Sequence, residues 1–491
     1  MNAASRLVWL RALLVLGTCV ALVYGWMSRA TDFPIVQPDA YENLTAAYNL
    51  AHHGVISLDA HPQGMPSPSE YREPLPIAAL ALYIGAVRGE TTLGELVESQ
   101  NARLLKHSNL PWGALLALVV FVTIVRYTGS YGWAAFGTLA TDYGLAEHYN
   151  GLYSEVSAAA LLALACAAAA YAVHRRQGFW FLLTGLLFGA LTLTKAAFLY
   201  VSVVLVFVLV VLGVWRVLRA QSNDTLRAAL LMGLGVAVVV GPWLVRNQLQ
   251  FDRMTMSSRG GQVLLTRAVK NGMTAEEYRG AWFAYAPRPL RWVTSRLTGF
   301  DKSDLVDDGR LERLARYVDL RDRIAPDQGR PDEAVSYFAK VKAMHRQLEM
   351  AQTEPDPVAV DRELKRRAFA LIEADPWAHL AATPLFLWRG APYVFCILMV
   401  GAFYAVARRR DWLLAYIAPA LALVMFYALL THFIPRYGDP LRPVAAVVFA
   451  VLVHAAWCAA LARLRSRRST HRDAALHAYA LREPHMTEAS R

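Results

Sequence analysis

Runs of apolar residues long enough to cross a lipid bilayer recur along this chain, and no other feature restricts its fold as much. A helix rises 1.5 Å per residue, so roughly 20 apolar residues span a hydrocarbon core about 30 Å thick. Inside that core every backbone N–H and C=O must be satisfied within the segment or a closed barrel. The runs here are continuous rather than alternating, and so predict helices. Hydrophobic residues make up 56% of the 491 positions and charged residues only 18%. A soluble domain carries roughly 25% charged residues. The expected fold class is therefore an all-α polytopic membrane protein.

Ten spans are expected, at about 8–26, 110–126, 131–146, 153–173, 179–193, 196–214, 228–245, 382–407, 412–431 and 441–461. The third and fifth are the shortest. Basic residues gather at one end of successive spans: Arg6 and Arg11, Arg126, Arg175 and Arg176, Arg216, Arg219 and Arg227, Arg408 to Arg410, then Arg463, Arg465, Arg467 and Arg468. This is the positive-inside pattern, and it predicts a multi-pass protein of the cell inner (plasma) membrane with both termini cytoplasmic. It also accounts for the net charge of +12 without invoking nucleic acid as a partner. The first run follows Arg6 as a signal peptide would. It is long for an h-region, however, and Met27-Ser28-Arg29-Ala30 is a poor cleavage site, so it reads as a spanning helix. Cys19, Cys166, Cys396 and Cys458 all lie in apolar runs without ligand spacing, and read as small packing residues.

The expected organisation is an N-terminal transmembrane module over 1–245, whose first outside loop covers 27–108. An extracytoplasmic loop domain over 246–380 follows, then C-terminal transmembrane helices over 381–463 and a basic cytoplasmic tail over 464–491. The tail is expected to be disordered or to lie on anionic lipid. The first outside loop holds an amphipathic stretch from Tyr41 to Tyr48 and a Gly/Pro/Ser loop from His61 to Ser69. The short apolar run from Pro74 to Val87 is too short to span and predicts a helix lying in the interface.

Unusual polar residues near span boundaries fall on the side opposite the arginine clusters. They are Asp39 and Glu42; Glu70, Arg72 and Glu73; Asp142, Glu147 and His148; Lys195; Arg246; and His432, Arg436 and Asp439. Charges at helix ends commonly just anchor the helix in the head-group layer. Acids and bases from six separate loops on one side imply more, namely one polar cavity open to lipid. A helix opened by Pro38 would put Asp39 and Glu42 on one face. No Gly-rich phosphate loop, H-x-x-x-H pair or nucleophile elbow occurs, which argues against an ATP-driven pump and the common soluble hydrolase designs.

Six segments carry a resemblance. They are Pro38-Asp39-Ala40-Tyr41, Tyr71-Arg72-Glu73-Pro74-Leu75, Leu152-Tyr153-Ser154-Glu155, Leu191-Thr192-Leu193-Thr194-Lys195, Gly241-Pro242-Trp243-Leu244-Val245-Arg246-Asn247 and Arg436-Tyr437-Gly438-Asp439-Pro440. In order and sidedness the set resembles the GT-C glycosyltransferases, which take a sugar from a polyprenyl phosphate or pyrophosphate carrier. The nearest branch holds protein O-mannosyltransferases and lipid A aminoarabinose transferases. The resemblance covers about 1–265 and 375–460, and leaves 270–370 unmatched. It departs where the family often has a second acid beside the first, since Ala40 follows Asp39 here. That leaves metal use open, with a divalent cation as a candidate and no other cofactor implied.

The resemblance implies a polyprenyl-phosphate-linked sugar as donor and an envelope glycan, lipid or protein as acceptor, met on the extracytoplasmic side. Glycosyl transfer needs a base for the acceptor hydroxyl and cations for the departing phosphate. Asp39 is the expected base, with Glu42 and Glu147 as further catalytic carboxylates. Arg72, Lys195, Arg246 and Arg436 are the expected phosphate ligands, because guanidinium meets phosphate with a fork of donors. His148, His432 and Tyr437 are expected to serve the acceptor, and Glu147 with His148 to orient it or to hold an ion with Asp39. The alternatives are an oligosaccharide ligase or polymerase using a pyrophosphate carrier, and a lipid-linked-sugar transporter or flippase. A transporter would need ionisable residues at mid-membrane, whereas these span centres are nearly all apolar.

Overall fold

The structure is a computed structural model that describes residues 3–89, 91–353 and 356–480. Among the described residues all the regular structure is helical, with no strand. The helices that build the membrane part and the site are α1 (Ala3–Arg29), α2 (Pro38–His53), α3 (Pro74–Arg88), α4 (Leu110–Thr128), α5 (Tyr131–Gly144), α6 (Glu155–Arg175), α7 (Gly178–Thr192), α8 (Ala197–Leu218), α9 (Asp224–Phe251), α10 (Gly260–Ala268), α11 (Pro376–Gly390), α12 (Pro392–Ala407), α13 (Asp411–Leu430) and α14 (Arg442–Ala480). Shorter helices fill 275–374 between α10 and α11.

Seven helical segments among the described residues are long and apolar enough to cross a membrane, and α11 with α12 makes an eighth if that pair, bent by 104°, counts as one span. Every one of the ten expected segments is largely helical, but among the described residues only seven or eight are long and apolar enough for a full crossing. α5 and α7 have 14 and 15 residues, a rise of only about 21–23 Å against a core of about 30 Å. α7 is held by close packing instead of length. A Cβ on Gly185 would lie 2.1 Å from the Met232 carbonyl oxygen, and one on Gly235 2.5 Å from that of Leu182, so the α7 and α9 backbones touch directly. Small residues at helix contacts are how membrane helices come this close. The eighth expected span breaks at Ala391, between Gly390 and Pro392, where the missing N–H of proline and the preceding non-helical residue end α11.

The bundle interior is one apolar core running through α4, α6, α7, α13 and α14. The outward faces are apolar too. On α8, Val203, Val204, Phe207, Val208 and Val211 are all exposed, as are Leu230, Leu234 and Val238 on α9. Helices apolar on both faces suit lipid as solvent. α1 lies largely exposed against this bundle and is pinned at its C-terminal end. There Trp26 Nε1 donates to Asp142 at 2.5 Å and Arg29 pairs with the same carboxylate at 2.6 Å. Of the cysteines only Cys166 is buried; Cys19, Cys396 and Cys458 are exposed, so three of the four do not pack the interior as expected.

The first loop has its own core, in which Leu44 and Ala47 of α2 meet Ile77, Leu80 and Ile84 of α3. It is fastened to the bundle at several points, among them Asn43 Nδ2 donating to Leu152 O at 2.8 Å and the turn before α3. Leu75 N donates to Leu193 O at 3.0 Å, and Glu73 Oε1 accepts from Ala196 N at 3.4 Å. Two further cores hold 260–374 together, one around Phe283, Phe300 and Leu311, the other around Leu265, Val341 and Leu364. The backbone of 464–480, expected to be disordered or to lie on anionic lipid, is helical and continues α14. The remaining tail residues, 481–491, lie outside the described residues.

Candidate active site

Chain alternation brings six loops to one end of the bundle: the N-terminus of α2, the segment before α3, the start of α6, the α7–α8 turn, the segment after α9 and the α13–α14 turn. Their charged residues form one connected network. Pro38 opens α2 at its first turn, with Gln37 as N-cap, which fixes Asp39 at the positive end of the helix. Asp39 Oδ1 accepts from Arg72 Nη2 at 2.8 Å and from Arg259 Nη2 at 3.2 Å, and Oδ2 accepts from Arg436 Nη1 at 2.8 Å. One turn on, Glu42 accepts from Arg72 Nε at 2.8 Å and also from its Nη2. Arg436 reaches in the other direction, its Nε donating to Glu155 Oε1 at 2.6 Å, and Lys195 Nζ donates to the same oxygen at 3.2 Å. The result is an unbroken path from Glu42 through Arg72, Asp39, Arg436 and Glu155 to Lys195.

Aromatic rings back all three guanidinium groups, Arg72 lying 5.9 Å from the Tyr71 ring centre. Arg259 lies 4.7 Å from the Tyr71 ring centre and Arg436 4.5 Å from that of Tyr153. Such contacts hold a guanidinium plane without neutralising it. Three acids, Asp39, Glu42 and Glu155, face four cations, Arg72, Arg259, Arg436 and Lys195, which leaves the network one charge positive. Burial by itself would raise the Asp39 pKa. Arg72, Arg259 and Arg436 outweigh it and hold this carboxyl well below the ordinary carboxylate range. Glu155 is fully buried, and its Oε2 has no hydrogen-bond partner.

Asp39, Glu42, Arg72, Lys195 and Arg436 are thus brought together as expected from the sequence. Among the described residues the other expected site residues form no ion pair or hydrogen bond with the network, although Tyr437 lies within electrostatic reach of Asp39, Arg259, Arg436 and Glu155, and His148 within reach of Glu155. Arg246 donates to Ser69 O at 3.2 Å and to Asn247 Oδ1 at 2.8 Å, bracing the segment that carries Arg72 rather than presenting a free fork. His148 is paired with Asp439 at 2.5 Å, and Arg442 holds the other oxygen of Asp439 at 2.6 Å. Glu147 is exposed and has no ion pair or hydrogen bond to the network. Tyr437 packs beside Tyr427 and His432, with ring centres 5.4 and 5.7 Å away. His432 is buried.

These residues do not fit an ion shared by Asp39, Glu147 and His148. Asp39 is ringed by three guanidinium groups, and His148 is committed to Asp439. The tightest group of possible ligands among the described residues, Asp307, Asp308 and Glu312, lies in a largely exposed loop of the 260–374 region. Two members of the network were not assigned a role from sequence. Glu155 opens an otherwise apolar span, and a lone acid there is costly unless paired, which is a signal that could have been used. Arg259 sits in a polar loop 220 residues from its partner Asp39 and carries no comparable mark.

Fold and site together define a polytopic helical membrane protein with an ion-pair network, close to charge balance, gathered at one end of its spans. No family model and no curated protein matches the chain. Among solved structures, the fold is similar to ArnT from Cupriavidus metallidurans bound to undecaprenyl phosphate, with a TM-score of 0.37 and 13% identity over 89% of this chain and 77% of that one. The apo state of the same protein gives a TM-score of 0.35 and 14% identity over 90% and 78%. Likeness at this level does not bear on function, which has to stand on the site.

Proposed function

We propose that this protein is an integral membrane glycosyltransferase of the GT-C kind. It would move a sugar from a polyprenyl-phosphate donor to an envelope glycan, lipid or protein on the extracytoplasmic side. The observation that carries the reading is the unbroken path of ion pairs from Arg72 through Asp39 and Arg436 to Lys195, contributed by separate loops at the end of lipid-facing helices. The arginine clusters at the opposite ends of the same helices favour a non-cytoplasmic position for it.

In this reading the donor phosphate enters as an anion and competes with Asp39 and Glu42 for Arg72, Arg259 and Arg436. The bond between the anomeric carbon and the phosphate oxygen breaks with its electron pair going to the phosphate. The acceptor hydroxyl oxygen forms the new bond, and its proton passes to Asp39. Held by three guanidinium groups, Asp39 is a weak base, because a general base works best with a pKa near the operating pH. Transfer of those groups to the phosphate is what raises its basicity, so donor binding and base activation are one event. A carboxylate offers about four acceptor positions, and three are filled here, which leaves about one toward the acceptor.

The test is purified protein in detergent, given a polyprenyl-phosphate sugar and an envelope extract without any ion gradient. Release of polyprenyl phosphate with transfer of the sugar is expected. Movement of the intact lipid-linked sugar across reconstituted vesicles, with no bond cleaved, would replace the enzyme by a transporter.

A further inference from the structure

A second group of cations lies among α10, α11 and the α13–α14 turn, and no acid accompanies it. Arg267 is fully buried, and all its partners are neutral: His379 O at 2.6 Å, Asn271 Oδ1 at 3.1 Å, Ala428 O at 3.2 Å and Thr383 Oγ1 at 3.3 Å. Lys270 is 4% exposed, and among the described residues its ammonium forms neither a hydrogen bond nor an ion pair and has only the Tyr285 and Phe386 rings, at 5.3 and 5.5 Å. Arg389 lies 4.5 Å from the same Tyr285 ring and donates to His432 O at 3.2 Å. Among the described residues none of these three cations is within ion-pair reach of a carboxylate. Glu277, which acts on Tyr285, is already paired with Arg313 at 3.3 Å and accepts from Tyr337 at 3.1 Å.

The neutral groups around these cations are unsatisfied as well. The Tyr285 hydroxyl, His432 Nδ1 and Asn271 Nδ2 are all buried without a hydrogen-bond partner. Buried polar groups in folded proteins are nearly always paired, and an unpaired buried charge is costlier still. Three unpaired groups able to donate, the Lys270 ammonium, the Tyr285 hydroxyl and Asn271 Nδ2, together with two arginines, are the complement of a small anion with several oxygens. Burial and the neighbouring Arg389 and Arg267 push the Lys270 pKa well below its ordinary value, the response of an ammonium that lacks a counter-charge.

We propose that Lys270, Arg389, Tyr285 and Asn271, backed by Arg267, form an anion site separate from the Asp39 network, and that its ligand is a phosphate group, free or as the monoester head of a lipid. A phosphate presents three or more acceptor oxygens to these donors, where a carboxylate presents two. The site does not depend on the glycosyl-transfer reading.

The test uses the full chain in detergent, with inorganic phosphate and a polyprenyl phosphate as separate probes and sodium chloride as the ionic-strength control. The rise in Tm with probe concentration gives an apparent affinity without turnover, so a failed transfer assay leaves the result intact. At least one probe is expected to stabilise the wild type, and Lys270→Met to weaken that effect by about tenfold or more. Stabilisation by both probes identifies a free anion as sufficient, and stabilisation by the lipid alone identifies a head group. Tyr285→Phe, which removes only a hydroxyl, is expected to weaken binding several-fold and provides the same test should Lys270→Met not fold. A wild type unmoved by either probe, or a foldable variant stabilised as strongly as the wild type, overturns the proposal.

Discussion

The Asp39 network and the Lys270 group are both built from cations drawn into the protein, and they are held in opposite ways. The turn from His432 to Asp439 serves both, sending Arg436 to the first and His432 to the second. In the first, acids of the chain itself neutralise all but one of the cations, at distances of 3.2 Å or less. In the second, ring faces and backbone carbonyls stand where acids would be. A balanced network contributes to the fold in the absence of ligand and has to be opened by one. An unbalanced group opposes the fold until a ligand arrives. Removing a charge should therefore have opposite consequences in the two places.

The largest expected effect is at Arg436, which joins Asp39 to the buried Glu155. Arg436→Ala leaves Glu155 with Lys195 alone, and breaking a buried pair from one side costs about 3 kcal/mol, less what its partial exposure screens. A marked fall in Tm is expected, with recovery of much of it in the double variant Arg436→Ala/Glu155→Gln, where the stranded charge is gone. An Arg436→Ala protein as stable as wild type would break the comparison. Lys270→Met, the matching change in the second group, is expected to leave the Tm of the ligand-free protein unchanged or raise it, because it deletes a buried charge that has no partner.

Acid and alkaline unfolding sharpen the contrast. Asp39 has its pKa depressed in the fold, so its contribution to stability is complete above the unfolded value of about 3.9 and is lost as pH falls toward the folded value. Lys270 is also depressed, but from about 10.4, so its penalty is full below its folded pKa and lifts as pH rises toward 10.4. With Arg267, Arg389, Tyr285 and His432 around it, this predicts a wild-type Tm that gains on that of Lys270→Met as pH is raised through the alkaline range. Asp39→Asn should flatten the acid limb only. Equal slopes in the alkaline range would remove the unpaired ammonium from the account.

A smaller effect is expected from Arg72→Lys, which keeps the charge and loses the fork that grips Asp39 and Glu42 together. It should raise the KM for the lipid donor about tenfold, with a modest change in Tm. Glu147→Gln, exposed and outside both groups, should alter neither Tm nor transfer rate.

Much of the fold was legible because bilayer-length apolar runs allow few structures. All ten expected segments are largely helical, the eighth as two helices, and the Pro38 and Pro74 starts of α2 and α3 fall at the residues whose fixed φ suits a first helical turn. What could not be read was how far each helix reaches: α5 and α7 depend on contacts such as Gly185 against Met232, which a single run does not reveal. The same division holds for the site. Asp39, Arg72, Lys195 and Arg436 stand out as charges at span ends. Arg259, Arg267 and Lys270 sit in a polar loop where cations are ordinary, and only tertiary packing shows which of them are paired and which are not. The pairing of His148 was hidden for a related reason, since its partner Asp439 lies 291 residues away.

The most direct measurement is sugar transfer from a polyprenyl-phosphate donor by purified wild type and Asp39→Asn, with equal membrane insertion shown for both. Loss of transfer in the variant while donor binding persists is the result this account predicts. Near-normal transfer by Asp39→Asn would contradict it, because the carboxylate at the centre of the network would then have no part in the chemistry.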